Sequence, residues 1–105
     1  MDVHTSMAGL ERALALSERM RDAAADGAWE QVTGLDRERR EQLERGWPRD
    51  ARSRPYLVAM LEHNRAVMAR IRETQADLGA ELAKQRGRRH ALGSYMSVVR
   101  ESLLP

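Results

Sequence analysis

From Pro55 to about Arg86 the chain places Leu57, Leu61, Asn64, Met68, Ile71, Gln75, Leu78 and Leu82 at spacings of three and four, with Met60 and Val67 widening the stripe. Residues so spaced share one face of an α-helix and point to alternating faces of a strand, so this stretch must be a helix with one long apolar side. A helix of roughly 31 residues is a rod of ~46 Å at ~1.5 Å per residue, a large commitment for a 105-residue chain. Everything else in the fold has to cover that rod or leave it open.

The remaining residues suit helices as well. Apolar content comes from Leu, Ala, Met and Val, with Trp29, Trp47, Tyr56 and Tyr95 as the aromatics and no Phe, a mixture that favours helix over strand. Gly, Pro and Asp concentrate in "DGAW" (26–29), "GWPRDARSRP" (46–55) and "RGRRHALG" (86–93), which read as breaks. The expected fold is all-α: an antiparallel three- to four-helix bundle in one domain, 1–105, with helices over about 5–25, 28–45, 55–86 and 91–103. Thr5 or Ser6 caps the first, and Asp26-Gly27 ends it. The second carries Trp29, Val32 and Leu35 and then the charged run "DRERREQLER", in which Leu43 is the only large apolar residue and whose far end is expected to be mostly solvated. Pro55 falls where a first-turn proline is tolerated.

The two shorter helices span only ~27–30 Å. Packed antiparallel, they run out before the third helix does, leaving Leu78 and Leu82, with Ile71 at the boundary, to be covered by a folded-back tail or a second chain. The tail offers Leu92, Tyr95, Met96, Val99 and Leu103 on one face, but Gly93 and Ser94 weaken it as a helix, and about fourteen residues are marginal alone. A cover of that kind detaches at little cost.

Composition excludes several chemistries. With no cysteine there are no disulfides, thiolate metal sites or cysteine nucleophiles. His4, His63 and His90 have no ligand-spaced partners, since adjacent Glu62 and His63 point to different helix faces, so neither a metal site nor a cofactor is expected. A Gly-rich phosphate loop is missing, and no serine has an ordered base; the chain reads as a non-enzyme with no catalytic residues. No apolar run is long enough to span a membrane, and the N-terminus lacks a signal-peptide layout, so the expected location is cytoplasmic. Formal charge is only +2 despite a pI near 9.7, because the bases are seventeen arginines and one lysine. The excess lies in the C-terminal half: residues 1–50 hold eleven acids and eight bases, residues 51–105 five acids and ten bases. "QRGRRH" (85–90) complements the negative end of a helix better than it makes a nucleic-acid patch. Asn64 within the stripe reads as a register-setting polar residue or a solvated rim residue. Met60, Met68, Met96 and Met20 give a soft, adaptable surface of the sort that accepts partner helices.

The segments "LSERMRDAAADGAWEQVTGLDRERREQLE", "AMLEHNRAVMARIRETQADLGAEL" and "RHALGSYMSVV" together resemble the flagellar export chaperone FliT family, over roughly Leu14 to Val99. The most specific pieces are "DGAWEQV", the Glu62, Asn64 and Val67 pattern, and "ALGSY". The resemblance implies a cytoplasmic helical bundle that binds the C-terminal helix of the filament-cap protein FliD, keeps that subunit unpolymerised and delivers it to the export ATPase and export gate of the flagellar type III system. In some members it also implies binding to the master transcriptional regulator of flagellar genes. The last helix, with the tyrosine matched by Tyr95, is taken to restrain these contacts. Two departures bear on this: the last helix is short here, and the second helix is rich in arginine.

The expected partner groove comprises Leu61, Asn64, Met68, Ile71, Leu78 and Leu82, with Tyr95, Met96 and Val99 as the regulatory helix occupying part of it at rest. Its rivals are a structural homodimer through the long helix, another helix-binding adaptor and a nucleic-acid module.

Overall fold

The computed structural model describes the backbone of residues 6–103, with side chains as far as Ser94 and at Ser97. All its regular elements are helical: α1 (Ala8–Ala25), α2 (Trp29–Glu44), a 3-10 turn (Ala51–Ser53) and α3 (Arg54–Leu103). Two compact units divide it, Met1–Ile71 and Arg72–Pro105.

In the first unit each helix boundary has a local cause. Ser6 Oγ accepts the Ala8 N–H at 3.2 Å, satisfying one of the unpaired donors at the start of α1; Thr5, the other expected cap, lies outside the described residues. At its end the Ala28 N–H reaches the Ala23 carbonyl at 2.9 Å and the Gly27 N–H reaches that of Ala24 at 3.1 Å. This two-bond closure needs a left-handed residue, and Gly27 supplies it with φ of 71°. Gly46, at φ 93°, likewise turns the chain after α2, where its N–H bonds the Leu43 carbonyl at 3.1 Å. Asp50 then accepts the Arg52 N–H at 2.9 Å and caps the 3-10 turn, buried Ser53 donates its hydroxyl to the Pro48 carbonyl, and Pro55 sits in the first turn of α3.

The core of this unit is two apolar clusters. In one, Met20, Ala23 and Ala24 from the end of α1 meet Val32 and Leu35 from the start of α2 and Val67 of α3, flanked by Leu16, Trp29 and Ile71. In the other, Leu10 and Ala13 from the start of α1 meet Met60 of α3, with Leu14, Leu43, Trp47 and Tyr56 packed around them. Partly buried Leu43 packs against this second cluster, while Arg40, Glu41, Glu44 and Arg45 around it are exposed, so the far end of α2 is mostly solvated as expected. Leu10 is fully buried, worth about 2–3 kcal/mol of transfer free energy.

The second unit departs from expectation. The break at 86–93 is absent: α3 runs through Gly87 and Gly93, so the separate helices expected over 55–86 and 91–103 are one element. Glycine ends a helix when it adopts a left-handed conformation, as Gly27 and Gly46 do. Gly87 and Gly93 stay helical, each costing about 1 kcal/mol against Ala, while the Arg, Ala, Leu and Gln around them are good helix formers. A helix continuous from Arg72 to Leu103 cannot fold back on its own Leu78 and Leu82, so the expected self-cover of these two residues is corrected too.

Candidate partner-helix groove

Between the two apolar clusters lies a polar layer to which each helix contributes. Arg39 on α2 donates to Asn64 Oδ1 on α3 at 2.6 Å, to Ser17 Oγ on α1 at 3.2 Å and to Asp36 Oδ1 on its own helix at 2.8 Å. Ser17 is fully buried and donates its own hydroxyl to the Ala13 carbonyl at 2.9 Å. A one-turn slip of any helix would set Arg39 against apolar side chains, so this layer fixes their register. Asn64, half-buried, is thus tied into this layer through its side-chain oxygen. Nearby, His63 Nε2 stands 4.0 Å from Glu18 Oε1 of α1, and its buried Nδ1 has no hydrogen-bond partner.

The same layer floors a groove between α2 and α3. One depression of about 350 Å³ is lined by Asp36, Arg39, Asn64, Val67, Met68 and Ile71, among others. The next, of about 260 Å³, shares Arg39, Arg40 and Asn64 with it and adds Leu43, Leu57, Met60 and Leu61. A third, of about 380 Å³, shares Leu57 and Leu61 and continues past Val58 to Trp47. Shared walls make the three one surface. On the α1–α2 side one depression sets Arg19, Asp22, Asp26 and Glu38 around Leu35 and another sets Arg12, Arg19, Glu38 and Glu41 around Ala15 and Leu16, so both carry more charge than the α2–α3 surface.

Along α3 the apolar residues sort into two faces. Met60 and Val67 are buried in the core, whereas Leu57, Leu61 and Met68 are 39%, 50% and 50% exposed on the groove wall. Leu61 and Met68 each follow a core residue by one position, and Leu57 follows partly buried Tyr56, so the broad stripe read from sequence is two seams side by side. Of the expected site residues, Leu61, Asn64, Met68 and Ile71 come together on this groove. Leu78 and Leu82 belong to the second unit, where both are exposed. The side chains of Tyr95, Met96 and Val99 lie outside the described residues.

Three contributors escaped the sequence reading. Val58 is out of phase with the stripe, yet 47% exposed beside the Trp47 end of the groove. Trp47 reads in sequence only as one of four aromatics, inside the break at 46–55; in the fold the Arg49 guanidinium stacks 4.6 Å from the centroid of its ring. Arg39 was one of several arginines in a charged run, and the only signal marking it is its three-residue offset from Asp36. At the far edge of the third depression Asp50 is exposed, and its hydrogen bonds with Arg52 hold its carboxyl below the usual carboxylate range.

The arrangement offers apolar surface with polar groups already engaged beneath it, and among the described residues no group of three His, Cys, Asp or Glu side chains converges to hold a metal ion. No helix among those residues is long and apolar enough to cross a membrane. Residues 7–97 match the family described as Flagellar protein FliT. No curated protein matches the chain, and no solved structure does.

Proposed function

The chain belongs to the FliT family of flagellar proteins, a family of flagellar export chaperones, and on that premise we propose that it binds the C-terminal helix of the filament-cap protein FliD in the cytoplasm. Binding there keeps the cap subunit unassembled until it is handed to the export ATPase and export gate. The observation that carries this reading is the groove wall of Leu57, Leu61 and Met68, half exposed on a bundle whose core is already complete without them. Exposed leucines and methionine at helical spacing match the anchors by which an amphipathic helix docks, and methionine adapts to an imperfect fit. On an antiparallel arrangement of α1, α2 and the first turns of α3, Leu61, Asn64, Met68 and Ile71 contact the partner in the first unit, with Leu78 and Leu82 serving the same role in the second. Tyr95, Met96 and Val99 regulate access. The master flagellar regulator is a further ligand of the same surface.

Titration calorimetry of the full chain with the C-terminal segment of the cap protein tests this reading. Replacing Leu61 and Met68 by Glu is expected to weaken binding at least about tenfold, about 1.4 kcal/mol, while leaving the urea midpoint nearly unchanged because both residues are half exposed. Deleting residues 95–105, which removes Tyr95, Met96 and Val99 and keeps Leu92, is expected to tighten binding. Unchanged affinity in the Glu double variant removes the groove from consideration.

A further inference from the structure

In the second unit Gln75, Leu78, Leu82, Gln85, Arg89 and Leu92 follow one another at strict alternating spacings of three and four. That repeat of seven is the seam of a coiled coil, and no slip interrupts it at Gly87. Leu78, Leu82 and Leu92 are 60%, 45% and 61% exposed on it. In sequence the spacing carries on to Met96, Val99 and Leu103.

Charge is unevenly distributed along this helix. Glu73, Asp77 and Glu81 precede the middle of the seam; Lys84, Arg86, Arg88 and Arg89 follow it, and no Asp or Glu occurs between Glu81 and Glu101. Arg89 lies in the seam itself, with Arg86 and Arg88 on its two flanks.

A second copy of the chain meets this pattern badly. Laid parallel and in register, it sets Arg89 against its own counterpart within the seam and brings the two basic stretches side by side. Laid antiparallel with Glu81 beside Arg88, it opposes Leu78 to Arg89 and Leu82 to Gln85. Shifted so that Leu82 meets Leu92, it brings Arg88 against Arg88 and Arg86 against Arg86. No antiparallel register joins leucine to leucine and acid to base together. A helix with its own apolar three-and-four seam and carboxylates opposite residues 84–89 satisfies both.

We propose that the exposed seam of the second unit is a docking surface for an acidic amphipathic helix, its leucine-type anchors seated on Leu78, Leu82 and Leu92 and its carboxylates paired with Arg86, Arg88 and Arg89. This rests on the chaperone reading above and specifies the chemistry of the segment that the second unit receives. Arginine flanks select among amphipathic helices by charge and speed their encounter, while the leucines hold what has docked.

Three synthetic amphipathic helices with identical leucine seams, flanked by Glu, Gln or Lys, are titrated into the full chain by fluorescence anisotropy. The Glu-flanked peptide is expected to bind at least about tenfold tighter than the Gln-flanked one at ~0.1 M salt, a preference lost at ~1 M as the screening length falls from ~10 to ~3 Å. Leu78→Gln with Leu82→Gln is expected to abolish binding without changing the far-ultraviolet circular dichroism. Reversing Arg86, Arg88 and Arg89 to Glu is expected to transfer the preference to the Lys-flanked peptide, a readout that misfolding cannot produce. Equal binding of the Glu and Gln peptides, or binding indifferent to the leucine replacements, overturns the proposal. So does a full chain that sediments as a stable dimer dissociated by those replacements, since the occupant is then a second copy. Measuring the cap segment against the same variants separates the two readings: cap binding that survives the leucine and arginine replacements leaves the chaperone reading standing on the first unit alone. Glu-peptide binding without cap binding leaves the seam standing and removes the partner.

Discussion

Arg39 is the residue on which the three packed helices agree. Its side chain is 13% exposed, and its guanidinium reaches Ser17, Asp36 and Asn64 together. Replacing it by Ala leaves the Asn64 carbonyl oxygen facing a gap between two apolar clusters, and hydrogen bonds to a charged group are worth about 1.5–3 kcal/mol, so Arg39→Ala is expected to lose about 2–3 kcal/mol in urea unfolding. Asn64→Ala in the Arg39→Ala background is expected to cost much less than in the native chain, because the two residues share one interaction; additive losses would mean that the layer does not act as a unit. At Asp50 the effect is one of pH. The carboxyl is held below its ordinary value by hydrogen bonds from Arg52, so the folded state binds that proton less readily than the unfolded one. The sign follows: the advantage of the native chain over Asp50→Ala is fully present above about pH 4 and disappears as pH falls through the depressed value. A difference in melting temperature that is flat from neutral pH to pH 2 would contradict this account.

At the level of elements, the question is what a glycine means. "DGAW" is legible because Asp26-Gly27 closes α1 with a left-handed residue and two backbone bonds, a local device that a sequence spells out. "RGRRHALG" carries the same letters and does not stop the helix, because no left-handed turn is taken at Gly87 or Gly93. Helix type and approximate extent were therefore readable, and the continuity of α3 was not. The same limit governs the groove. Leu61 and Met68 were found from periodicity, but the one-residue offset between the core seam of Met60 and Val67 and the groove seam beside it depends on how α3 is rotated against α1 and α2, which periodicity alone leaves open. Arg39 was hidden because its neighbours carry the same charge. If Gly87 and Gly93 are helical with open space around each missing Cβ, replacing both with Ala should raise helix stability by about 1–2 kcal/mol in all. Increased helical ellipticity and a higher thermal midpoint for the Arg72–Pro105 segment are the expected results; a loss of helicity would show that a turn is taken there after all.

Across the whole chain, burial and exposure divide at one point. Every buried apolar residue among those described, from Leu10 to Val67, precedes Arg72, and the described residues beyond Thr74 are all exposed. The first unit should then fold by itself. A chain of residues 1–71 retains both apolar clusters, the Arg39 layer and the closures of α1 and α2, and loses only the helical continuation beyond Ile71, whose fraying at a new terminus should cost about 1 kcal/mol. A domain of that size has a thin margin, burying only about 60% of its unfolded surface, so the prediction is a strict one. Urea unfolding of residues 1–71 is expected to be cooperative, with a stability within about 1–2 kcal/mol of the full chain and a lower m-value in proportion to the surface removed. Loss of cooperativity would mean that the second unit contributes to the fold of the first. A folded truncation would instead assign stability to the first unit and leave the second free to be selected for what it binds.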